Sequence, residues 1–127
     1  MSKKPIHSAT GPVAGAPYTP AMRVGDTVYV SGQIPLDPAT GKIVEGDFEA
    51  QVAMCLSNLE ALLVSDGLSL DNVVKTTCFL VDLGNFASLN KVYGPKFTGI
   101  PPARSTVQVS RLPLDSQVEI EAIAVAF

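Results

Sequence analysis

The order of apolar and polar positions divides this chain into short strands and two helices. Over 47–66 the residues Phe48, Val52, Leu56, Leu59 and Leu63 recur at spacings of three and four, which marks the buried stripe of an α-helix. Asp47 suits its N-cap and Gly67 its C-terminal closure. Over 22–33 two short alternating runs flank Gly25-Asp26, a two-residue turn signal, and predict a β-hairpin. In its second strand Val28 and Val30 face one way, while Thr27, Tyr29, Ser31 and Gln33 face the other. The stretch 73–81 alternates and is rich in Val, Thr and Phe, so it reads as a strand.

A second helix starts at Asn85, a candidate cap, and carries Phe86, Leu89, Asn90 and Tyr93 on one face. Gly94-Pro95 should interrupt it, because proline removes a hydrogen bond and crowds the preceding turn. The end of the chain reads as a hairpin of 104–109 and 117–127 around Pro113-Leu114-Asp115. If it pairs so that Arg104 lies near Glu121, then Thr106 lies near Glu119, and a one-residue slip would change every pairing. Beyond Ala122 both faces of the last strand are apolar, as in a sheet covered on both sides. Two helices cannot cover both faces of five or six strands. The expectation is therefore an α+β sandwich, mostly antiparallel, with both helices on one face and other subunits on the other.

Residues 1–20 hold Pro5, Pro12, Pro17 and Pro20 and read as an extended arm with little structure of its own, leaving 21–127 as a single domain. Tyr18, held between Pro17 and Thr19-Pro20, either lines a pocket or anchors the arm to the body.

Composition narrows the function. The net charge of −3 and the lack of a basic cluster argue against nucleic-acid binding. No apolar run is long enough to span a bilayer, and no signal peptide is evident behind Met1-Ser2-Lys3-Lys4-Pro5. Cys55 and Cys78 sit in regular elements in unlike contexts, which suggests reduced, buried thiols in a cytoplasmic protein. The one histidine, His7, lies in the arm, so a His-based triad or His-clustered metal site is not expected. No CxxC, GxGxxG or Walker sequence is present, so no cofactor is expected.

What remains is a fixed guanidinium and two carboxylates. Arg104 presents a planar fork suited to a carboxylate or phosphate. Glu119 or Glu121 could hold a water and take its proton. The alternative is a cross-strand salt bridge, worth under about 1 kcal/mol if exposed. Asn90, an amide on an apolar stripe, either binds a ligand, bonds a neighbouring loop or lies at the stripe's edge.

In order along the chain, Pro17-Tyr18, Ser31-Gly32-Gln33-Ile34-Pro35, Val74-Lys75-Thr76-Thr77, the helix with Asn90 and Tyr93, Pro102-Ala103-Arg104-Ser105 and Glu119-Ile120-Glu121-Ala122 resemble the successive motifs of the RidA/YjgF family. The resemblance implies a chorismate-mutase-like subunit, a homotrimer and active sites in the clefts between subunits. It implies hydrolysis of reactive enamines and imines such as 2-aminoacrylate and 2-iminobutanoate to 2-oxo acids and ammonia, which protects pyridoxal-phosphate enzymes. By the same resemblance Arg104 clamps the substrate carboxylate, and Glu119 holds the attacking water. The backbone of Thr106, a position often cysteine in the family, helps hold the substrate. Tyr18, Ser31, Gly32 and Asn90 line the pocket, with Tyr18 and Ser31 supplied across the interface. A binding module that senses small carboxylates without turnover is the alternative. Pro101 and Gly94-Pro95 make the loop before Arg104 stiffer than in many relatives.

Overall fold

The long apolar stripe forms helix α1 (Phe48–Ser65). The Asp47 carboxylate accepts a hydrogen bond from the Ala50 N–H at 2.9 Å, satisfying one of the first-turn donors that a helix leaves unpaired. At the other end Gly67 adopts φ +78°, a left-handed conformation that a side chain would strain, and the chain turns out of the helix there. Leu56, Leu59, Leu62 and Leu63 are fully buried, each worth roughly 1.5–3 kcal/mol of transfer free energy. Two amides share the buried side. Asn58 Nδ2 donates to the carbonyls of Ile34 and Leu36, and Gln51 Oε1 accepts from the Gln117 N–H. These bonds lock the loop after one strand and the entry to another onto the helix.

The coordinates are a computed structural model that describes residues 2–8 and 15–127. The strands are β1 (Lys3–Ile6), β2 (Ala21–Val24), β3 (Thr27–Gln33), β4 (Val73–Leu80), β5 (Ala103–Gln108) and β6 (Val118–Val125). They form one sheet in the order β1-β2-β3-β6-β4-β5. The β4–β5 pairing is parallel and the other pairings are antiparallel. Helix α2 (Phe86–Tyr93) lies in the connection between β4 and β5 and packs beside α1. The core between the helices and the sheet includes Val28, Val30, Cys78, Leu80, Val118, Ile120, Ala122 and Ala124. The opposite sheet face is open and carries half-exposed Tyr29 and Val107.

Four details depart from the sequence reading. The terminal hairpin does not exist, because β4 lies between β5 and β6. Pro113–Asp115 is a 3-10 turn with left-handed Leu114 and Asp115, and the chain passes across the end of β4 before re-entering the sheet. Bonds from Val109 N–H to Leu80 O and from Val81 N–H to Gln117 O mark the two sides of that crossing. Gln33 is buried, because a register shift between Val30 and Gln33 turns it toward the core. The arm begins with β1, where Pro5 is tolerated because an edge strand need not donate on both sides, and Ile6 is buried. Lys4 of β1 and Arg23 of β2 both reach the Asp66 carboxylate just past α1, at 2.9 and 2.8 Å. Hydrogen bonds from Arg23, then from Lys4, hold that carboxylate below its ordinary pKa despite burial. Residues 9–14 of the arm lie outside the described residues. Finally, Asn85 makes no side-chain capping bond among the described residues. Asp82 caps the 3-10 turn Leu83–Asn85 ahead of α2 instead.

Candidate functional site

Pro101-Pro102 end the preceding loop, and β5 runs as the edge strand from Ala103. Arg104 is aligned with Thr76 of β4, whose side chain is fully buried on the helix face, so Arg104 rises on that face too. The stripe Phe86, Asn90 and Tyr93 of α2 meets it there. Asn90 Oδ1 accepts from Arg104 Nη2 at 2.8 Å. The guanidinium carbon lies 4.8 Å from the Tyr93 ring centre and 5.4 Å from that of Phe86, distances at which a ring face attracts a cation. Tyr93 in turn packs against Phe97 at 4.6 Å between centroids. Among the described residues no carboxylate pairs with Arg104. The guanidinium therefore keeps its charge uncompensated and most of its five N–H donors unassigned, the state of a receptor for an anion.

The surroundings are polar but neutral. Tyr93 OH and Thr76 Oγ1 lie 2.6 Å apart in the interior. Burial, first of all, pushes the Tyr93 phenol up, so it stays protonated. Cys78, aligned with Thr106, has its thiol pushed up to about 11 by burial, against the pull of Arg104. Thr106 follows Arg104 on the same strand face, and its hydroxyl is buried without a partner among the described residues.

The second group of residues stands on the other face. Glu119 is aligned with Phe79 and alternates with the buried Val118 and Ile120, so its carboxylate points to the open side. Burial raises its pKa above the ordinary carboxylate value, and Glu121, two residues on along the same face, adds to the rise. Gly32 sits against it: a Cβ at Gly32 would overlap the Glu119 carboxylate. Ser31 donates from Oγ to Thr19 O at 2.6 Å and from its N–H to Pro20 O at 2.8 Å. Those bonds tie 17–20 to β3 and carry the exposed Tyr18 ring alongside.

The structure thus brings Arg104, Asn90 and Thr106 together, and separately Ser31, Gly32 and Glu119 with Tyr18 beside them. It does not bring the two groups together within one chain. The expected Arg104–Glu121 and Thr106–Glu119 neighbours are absent, since Arg104 aligns with Thr76, and Thr76 with Ala122. Sequence reasoning assigned Phe86 and Tyr93 to an apolar stripe and gave Thr76 no role. The available signal was the amide of Asn90 between two aromatic residues at helical spacing, which forms a seat for a planar cation.

A family model described as Endoribonuclease L-PSP matches residues 8–126. The chain is 54% identical to Protein DfrA of Myxococcus xanthus, over 99% of this chain and 98% of that protein. It is 43% identical to the 2-iminobutanoate/2-iminopropanoate deaminase of Mus musculus, over 97% of this chain and 91% of the mouse protein. Among solved structures, E. coli TdcF with bound serine superposes with a TM-score of 0.90 at 42% identity, over 98% of this chain and 99% of TdcF.

Proposed function

The chain belongs to the RidA/YjgF family, and on that premise we propose that it is a hydrolytic deaminase. Its substrates are 2-imino acids and their enamine tautomers, such as 2-iminobutanoate and 2-aminoacrylate, and its products are 2-oxo acids and ammonia. The observation that carries the reading is the uncompensated Arg104 guanidinium, seated between Phe86 and Tyr93 and held by Asn90. A small carboxylate is the anion this seat fits, and the serine in TdcF is a ligand of that kind.

The chemistry follows from the groups present. An enamine first takes a proton at C3 to become the imine. Arg104 binds the carboxylate and fixes the plane of C2, with the backbone at Thr106 alongside. Water adds to C2, and Glu119 takes a proton from it. A carboxylate of raised pKa is a better proton acceptor than an ordinary one. Glu119 passes that proton to the nitrogen to complete the carbinolamine, whose hydroxyl proton then moves to the same nitrogen as the C–N bond breaks, releasing ammonia and the 2-oxo acid. No step calls for a cofactor.

Within one chain Arg104 and Glu119 look out from opposite faces, so one substrate meets both only where two copies meet. The reading therefore includes a homotrimer joined through the open face. Arg104, Asn90 and Thr106 come from one subunit, and Glu119, Gly32, Ser31 and Tyr18 from the next. The half-exposed Tyr29 and Val107 supply apolar surface for that contact. Among the described residues no helix is long and apolar enough to cross a membrane. We place the protein in the cytoplasm, next to the pyridoxal-phosphate enzymes that release such imines.

A carboxylate-binding module without turnover is the second reading, favoured by the serine in TdcF. RNA cleavage, suggested by the family description, gains nothing from a net charge of −3, which gives no counterion-release drive toward a polyanion. The test is oxo-acid release from threonine dehydratase with and without this protein. The wild type accelerates release and Arg104→Ala, still folded, does not. Release at the solvent rate with the wild type would rule out the deaminase.

A further inference from the structure

Arginine side chains swing freely unless several contacts agree on one position. Around Arg104 the contacts form a closed circuit. Its backbone is aligned with Thr76 in the parallel β4–β5 ladder. The Thr76 hydroxyl meets the Tyr93 hydroxyl at 2.6 Å. The Tyr93 ring then returns to the guanidinium at 4.8 Å. Thr76 is fully buried and Tyr93 nearly so, and the pair lies within an apolar core. Valine and phenylalanine would fill the same volumes without two polar atoms to satisfy, so packing alone does not account for the pair. Helix α2 has only eight residues and ends at Gly94-Pro95, so backbone continuity alone does not fix the position of its last ring.

We propose that the buried Thr76–Tyr93 hydroxyl pair is a positioning device for Arg104. It pins the Tyr93 ring to the same strand position that sets the Arg104 backbone, so the free edge of the guanidinium keeps one direction for an incoming carboxylate. This rests on reading Arg104 as the carboxylate clamp. Thr76 and Tyr93 act through Arg104 and are positioning residues. The ring also profits electronically when the phenol donates its proton to Thr76, since its face becomes more negative beneath the cation.

The experiment is a double-mutant cycle with two readouts, thermal midpoint and calorimetric affinity for 2-oxobutanoate, a carboxylate the enzyme does not consume. Thr76→Val and Tyr93→Phe each strand one buried hydroxyl, lower the midpoint and weaken binding by roughly tenfold. The double variant Thr76→Val/Tyr93→Phe removes both polar atoms and recovers the midpoint but stays weak in binding. Thr76→Ser keeps the hydroxyl and binds like the wild type. In turnover the loss falls on KM more than on kcat. Recovery of wild-type affinity in the double variant would reduce the pair to a structural role and overturn the proposal. So would wild-type binding by both single variants alongside weak binding by Arg104→Ala. Wild-type binding by Arg104→Ala would instead remove the clamp itself, and the proposal with it.

Discussion

The two halves of the site are built on opposite physical rules. Around Arg104 the protein stabilises a charge without neutralising it: aromatic faces, an amide oxygen and neutral hydroxyls surround the guanidinium, and no carboxylate answers it among the described residues. Around Glu119 the protein works against the charge: burial and the neighbouring Glu121 both favour the protonated form. On the proposed reading one half receives an anion and the other a proton. A pair placed side by side on one face would have cancelled both properties in a salt bridge. Separation across the sheet keeps each group reactive, and in the proposed assembly two copies would let both act on one molecule.

The largest expected effect comes from removing the proton acceptor. Glu119→Gln should lower kcat by about 10²-fold or more while leaving 2-oxobutanoate binding within a few fold, measured by stopped-flow turnover and calorimetry. Mixing this variant with Arg104→Ala and reassembling the subunits should restore activity at about one site in four, because in the proposed assembly a site draws its arginine and its glutamate from different chains. No recovery on mixing would place both groups in one chain and break the comparison.

A smaller effect sharpens the carboxylate half. Because Glu119 must lose its proton before it can act, the acid limb of kcat/KM should report it in the free enzyme, shifted up from the ordinary carboxylate value by burial first and Glu121 second. Glu121→Gln removes one cause of the raised pKa, so the limb should move to lower pH. A limb that stays put, or moves up, would detach it from Glu119.

The smallest effect belongs to the arginine half. The Thr106 hydroxyl is buried without a partner among the described residues, so Thr106→Val should raise stability by about 1 kcal/mol, read by urea unfolding of the unliganded protein. A loss of stability would mean the hydroxyl has a partner there.

Local structure was legible in the sequence where short-range rules decide it. The α1 stripe, the Asp47 cap, the Gly25-Asp26 turn, the β4 alternation and the stop at Gly94-Pro95 each depend on residues within one or two turns of each other. Strand adjacency was not legible. The Pro113-Leu114-Asp115 segment has the composition of a hairpin turn, yet its left-handed residues steer the chain past β4. Nothing in the alternation of β5 says that it pairs with β4 in parallel. Gln33 was misplaced because a one-residue bulge inverts every later side chain and leaves no mark in a period-two pattern. For the site, Arg104, Asn90 and the pair Glu119 and Glu121 stood out by residue type, and only the family resemblance chose Glu119 from the pair. Tyr93 and Thr76 did not, because a buried hydroxyl is identified only by the partner it meets.

The parallel joining of β5 to β4 also has a consequence for how the protein folds. Asn90 and Arg104 are 14 positions apart, and the strand, helix and strand that carry the cation seat form one continuous stretch of chain. The Glu119–Gly32 contact instead waits for β3 to meet β6, from near the two ends of the chain. Closing so long a loop costs more entropy before any contact compensates it. The anion seat therefore belongs to the early, local part of folding. Glu119, the proposed proton acceptor, belongs to its longest-range step.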